Sequence, residues 1–193
     1  MPRWPATTKT VDSNVEDQVS RSEWVSGSCR LLSQTGREFE QTLPFKGYQI
    51  AQLNVARAVA PLEDARMADF MARLDEVNAL AELSPGFVWR LKGASGNATD
   101  LKVADDPLMI VNLSLWGSAA DLFDFTYRSD HRTVFARRFD WFERASGPSV
   151  VLWWQPAGTI PTIDDAFRRL RLLADNGPTP EAFTFKHRFP PPD

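Results

Sequence analysis

The order in which two periodicities alternate along this chain constrains its fold more than any other feature. From Tyr48 the stretch YQIAQLNVA alternates, with Ala51, Leu53 and Val55 on one side and Ile50, Gln52 and Asn54 on the other, which is the pattern of a strand. Pro61, Glu63 and Asp64 then suit a first helical turn, and Met67, Phe70, Met71, Leu74, Val77 and Ala81 form a helical stripe that stops at Ser84-Pro85-Gly86. FVWRL from Phe87 is a second strand, and Leu108 to Trp116 a third. Ser118, with Asp121 three residues on, resembles a capping box, and the helix it opens is expected to run through to Arg144 with a bend near Ser129. VVLWW from Val150 is strand four, and a third helix opens at Thr162 and stops at Asn176-Gly177-Pro178.

Strand, helix, strand, strand, helix, strand is the split βαβ order of an α+β, ferredoxin-like fold, an antiparallel sheet with two helices on one face, here followed by a C-terminal helix and an extended tail. In strand three, Met109, Val111, Leu113 and Leu115 make a wholly apolar side, expected to lie under the helices. Asn112, Ser114 and Trp116 are then left on an open face with Trp89 and one of Trp153 or Trp154. A face so rich in indoles calls for a cover. The expected cover is a second copy of the sheet, a homodimer enclosing a cavity, the alternative being the C-terminal helix and tail or the N-terminal segment.

Residues 1–46 are polar, charged and without a sustained period, and are expected to form a flexible or loosely packed N-terminal extension; the domain proper spans 47–193. The Gly, Ser, Asn and Asp-rich link from Gly93 to Asp106 is either a flap over a site or a plain surface loop. A formal charge of −3 without clustered cations argues against nucleic acid. The longest apolar run, Val150 to Trp154, is far too short to span a bilayer, so no membrane partner is expected. With the single Cys29 no internal disulfide can form, and no signal core opens the chain, so the default location is cytoplasmic. Metal and phosphate motifs (CxxC, HExxH, a glycine-rich loop) are absent, and no metal site is expected.

Tyr127 and His131 stand four apart on one helix and share a face. His131 suits three roles: a structural residue at the helix bend, a general base, or a haem or metal ligand. Arg137 and Arg138 either anchor an anionic substrate or pair with Asp140 and Glu143 in solvent. His187, in the tail, is expected at the surface.

The segments SPGFVWRL, IVNLSLWGS, Tyr127-Arg128-Ser129-Asp130-His131, RRFDWFE, VLWWQPAG and NGPTPEAFTFKHRF resemble domain-of-unknown-function family 3291 over about residues 47–190. That family is similar to the dimeric α/β-barrel superfamily, which includes antibiotic-biosynthesis monooxygenases, haem-degrading enzymes and stress-responsive barrels. The resemblance implies a site in which Asn112 and Trp116, from one face of a strand, approach a phenolic substrate that reduces oxygen without metal or flavin. On that expectation Asn112, Trp116 and His131 are the catalytic candidates, with Trp89, Ser114, Tyr127, Arg138 and Trp154 lining the substrate. The expected activity is cofactor-independent oxidation of an aromatic or apolar metabolite, with a non-catalytic ligand-binding barrel and a haem-binding barrel as alternatives.

Overall fold

The computed structural model describes residues 47–101, 106–128, 134 and 136–193. Within them the chain forms strand β1 (Tyr48–Arg57), helix α1 (Ala68–Leu83), β2 (Phe87–Arg90), β3 (Met109–Trp116), α2 (Ala119–Arg128), the one-turn helix α3 (Arg138–Trp141), β4 (Val150–Pro156) and α4 (Ile163–Asn176). Sequence signals set several of these boundaries. Asp64 accepts from the Arg66 amide ahead of α1, and Ser118 Oγ accepts from the Asp121 amide at 3.0 Å while donating to its carboxylate at 2.6 Å. Thr162 likewise caps α4 by accepting from the Asp165 amide. Gly86 carries a φ of +73°, and a Cβ there would collide with the Asp121 carboxylate, so only glycine fits this turn against the start of α2.

The sheet is antiparallel with strand order β2-β3-β1-β4, the ferredoxin-like arrangement of an α+β fold. Its register places Ile50 opposite Trp116, Gln52 opposite Ser114 and Asn54 opposite Asn112, so these six share one face of the two central strands.

The expected assignment of faces is overturned. Helices α1 and α2 cover the face that carries Asn112, Ser114 and Trp116: Ala81 and Leu122 are buried there with Ile50, Trp116 and Leu152, and Phe125 stacks on Trp116 at 5.0 Å. The wholly apolar side, with Leu53, Val111, Leu113, Leu115 and Trp153, lies instead under α4, through Ala166, Phe167, Leu170 and Leu173. The more apolar face takes the most amphipathic helix. The mixed face takes helices that can leave its amides accessible. The C-terminal helix of the same chain thus occupies the side where the apolar residues needed a cover, and a second sheet is not required to bury them.

A further correction concerns Trp89, and the open choice between Trp153 and Trp154 is settled. A bulge between Phe87 and Trp89 sets Phe87 opposite Trp116 but Trp89 opposite Leu115, which turns Trp89 toward the α4 side. Trp154 pairs with Ile50 and shares the Trp116 face, whereas Trp153 pairs with Ala51 beneath α4. The tail after α4 returns across β4, where Leu152 and Phe183 exchange backbone hydrogen bonds of 2.8 Å. No described helix is long and apolar enough to cross a membrane. Residues 1–46, including Cys29, and the bend expected near Ser129 lie outside the described residues.

Since α4 buries its apolar stripe on this face, Leu170→Ala, at a site 1% exposed, should cost about 2–5 kcal/mol in chemical denaturation. A cost below about 1 kcal/mol would mean that α4 rests loosely on the sheet.

Candidate functional site

Helix α1 touches the sheet at its two ends. Phe70 joins a cluster with Met67 and Trp141, and Ala81 joins the cluster around Trp116. Between those anchors Leu74 and Val77 face a cleft of about 1100 Å³, whose other sides are the outer part of β1 and β3 and the segment from α3 into β4. The volume is that of a site for a sizeable small molecule. Its walls are largely apolar, from Phe70, Leu74, Val77, Ile110, Trp141 and Phe142.

The polar groups sit on the floor. Asn54 and Asn112 lie directly opposite each other on β1 and β3, both lining the cleft, and neither side chain forms a hydrogen bond with any described residue. Asparagine is a poor strand former, and two of them paired on the central strands is costly unless the amides serve something outside the sheet. Each carboxamide offers both a donor and an acceptor.

Cations and carboxylates ring the cleft. Arg57 at the end of β1 donates to Asp106 at 2.8 Å and to Glu143, tying the link before β3 to the segment after α3. The Leu108 amide and the Arg57 guanidinium hold the Asp106 carboxyl below the usual carboxylate range, so it stays ionised and is a weak base. Arg138 and Arg144 lie over the ring of Phe139 at 4.2 and 4.1 Å, and all three line the cleft. Arg137 is spent on Asp69 and Asp140, as the solvated reading of that residue expects.

Of the residues expected at a site, the structure brings Asn112 and Arg138 to the cleft. Trp116 is 1% exposed, wedged between Phe87 and Phe125, and its indole N–H donates to Ser114 Oγ at 3.1 Å, so it has no donor left for a ligand. Ser114 is buried, bonded to both Trp116 and Gln52. Trp89 packs with the α4 cluster because of the bulge. Tyr127 packs tilted against Phe123 and edge-on to Phe185 and does not line the cleft. Trp154 donates its indole N–H to the Phe189 carbonyl at 2.9 Å, which pins the tail. His131 lies outside the described residues. His187 is exposed in the tail.

Sequence reasoning passed over Asn54, Phe70 and the Arg57 bridge as site residues. The parity of β1 already put Asn54 on the face of Asn112, but only the register sets the two amides side by side. Among the described residues that line the cleft there is no histidine, cysteine or tyrosine. No group of three or more metal-ligating side chains occurs among the described residues.

The Arg57 bridge predicts a pH dependence. A carboxyl depressed by folding adds stability above its unfolded pKa of about 3.9 and loses it as pH falls through the lower folded value. The difference in melting temperature between the wild type and Asp106→Asn should therefore be present at pH 7 and shrink below about pH 4. A difference that stays constant through this range would show that the carboxylate charge is not what stabilises the link.

Two solved structures from Nitrosomonas europaea are similar. One is a protein of unknown function, 16% identical, aligned over 60% of this chain and 96% of its own with a TM-score of 0.37. The other is a protein assigned as an antibiotic biosynthesis monooxygenase, 15% identical, aligned over 60% of this chain and 94% of its own with a TM-score of 0.35. No curated protein matches the chain in sequence. The family model for the domain of unknown function DUF3291 matches residues 49–193, from β1 through α4 and the tail, and the chain belongs to that family.

Proposed function

We propose that this protein binds a small, largely apolar metabolite with an oxygen substituent in the cleft beneath α1. The observation that carries this reading is the Asn54–Asn112 pair, two carboxamides without partners on the floor of an apolar cleft. An oxygen seated there accepts from the amide N–H groups while the ring or chain attached to it lies against Phe70, Leu74 and Trp141. Arg138 and Arg144 favour an anionic form of the ligand from the side.

Cofactor-independent oxidation of an aromatic is a second reading, supported by the same amides. A phenolate ready to give electrons to oxygen is stabilised by N–H donors. The Trp116 indole takes no direct part in this version, because its N–H is bonded to Ser114. Asp106 and Glu143 are tied to Arg57, so the floor favours a ligand that arrives ionised over one deprotonated by a carboxylate in place.

The probe is 1-naphthol, followed by quenching of tryptophan fluorescence with Trp141→Phe as the control for the reporting residue. Wild type should bind it, and Asn112→Val should weaken binding about tenfold, as loss of a hydrogen bond to an anionic oxygen does. The same substitution should raise stability by up to about 1 kcal/mol, because valine suits a strand better than asparagine. Consumption of dissolved oxygen with 1-naphthol would establish turnover, and binding without it would leave the recognition role alone. No binding by wild type, or equal binding by Asn112→Val, overturns the assignment of the floor.

A further inference from the structure

Beside the outer end of β1 the chain makes a detour that the sheet does not need. Ala58 pairs with Phe142 and Asn54 pairs with Val150, so the segment between α3 and β4 takes eight steps where β1 takes four. Two backbone hydrogen bonds pin the detour at its ends. The Glu143 amide donates to the Arg57 carbonyl at 2.9 Å, and the Val55 amide donates to the Ser149 carbonyl at 2.8 Å. The surplus residues loop out between these pins, and Arg144, at the start of the loop, lines the cleft.

Arg144 differs from the other cations there. Arg57, Arg73 and Arg90 also line the cleft, and each is held by a carboxylate: Asp106 and Glu143 for Arg57, Asp69 for Arg73, Glu82 for Arg90. Arg144 meets no carboxylate among the described residues; its guanidinium lies over the Phe139 ring, 4.1 Å from the centroid. Contact with a ring face places the cation without spending its planar fork of N–H donors, and that fork matches a carboxylate with two parallel hydrogen bonds. Phe139, 42% exposed, serves the guanidinium as a platform. The pins also set a spacing. Glu143 is anchored at Arg57, three residues along β1 from Asn54, so the backbone of Arg144 begins roughly 10 Å from the amide pair.

We propose that Arg144 binds a carboxylate at the rim of the cleft, and that the ligand is an apolar monocarboxylic acid whose second oxygen sits at Asn54 and Asn112. A fused two-ring aromatic is about the right length to join the two ends, with Phe70 and Trp141 as walls. One guanidinium without a carboxylate suits a single negative charge. A phosphate dianion would meet more repulsion, because the Glu143 carboxylate, one residue away, lines the cleft as well. Phe139 is a positioning residue in this arrangement. The inference rests on the small-molecule reading of the cleft and specifies its ligand.

The test compares 6-hydroxy-2-naphthoic acid with 6-hydroxy-2-naphthamide, the same body without the charge, by isothermal titration calorimetry at pH 7, where the acid is ionised. Wild type should prefer the acid about fivefold, the size of a charge pair at an exposed site. Arg144→Gln should erase that preference and leave the affinity for the amide within about twofold, while Arg144→Lys, which keeps the charge and loses the fork, should retain part of it. Phe139→Leu should halve the preference and spare the amide. Added salt should weaken the acid alone. Loss of the preference in Arg138→Gln but not in Arg144→Gln would overturn the assignment, and so would tighter binding of 6-hydroxy-2-naphthyl phosphate than of the acid. If wild type binds acid and amide equally and Asn112→Val weakens both, Arg144 has no such role and the amide floor stands. If wild type binds none of these probes, the small-molecule reading falls and takes this inference with it.

Discussion

A sheet with two apolar faces cannot leave either in water, and the whole architecture follows from how this chain covers both. One face is apolar through Leu53, Val111, Leu113 and Leu115 and is covered by α4, whose Leu170 and Leu173 are buried in one cluster with them and Trp153. The other bears Gln52, Asn54, Asn112 and Ser114 among Ile50, Trp116 and Leu152, and complete closure there would strand amides without partners. Helix α1 resolves this by packing at its ends, through Phe70 and Ala81, and bridging the amides in between. The cleft is the consequence of a mixed face under a helix that cannot lie flat.

Much of the fold was legible because it is written in local signals. The strands follow period-two alternation, the caps at Ser118 and Thr162 are side-chain oxygens three residues ahead of an acid, and Gly86 stands where the backbone requires a positive φ. What was not legible was which helix covers which face. Alternation divides Asn112, Ser114 and Trp116 from Val111, Leu113 and Leu115 but does not say which set is inward when both are. The sequence contained the missing clue, a third amphipathic helix with its own apolar stripe at Ala166, Phe167, Leu170 and Leu173, which had to be buried on something. The bulge that turns Trp89 away has no such signature, being a matter of pairing between strands.

The candidate site was legible in part for a related reason. Asn112 is conspicuous because a polar amide in a strand of Val, Leu and Ile demands a partner, and the structure places it on the cleft floor. Trp116 is just as conspicuous but for its size, and size is satisfied by packing: the ring fills the space between Phe87 and Phe125. A side chain that is both apolar and polar can meet each need separately. The indole body closes the core, and its one N–H enters a chain of hydrogen bonds that ends near the amides.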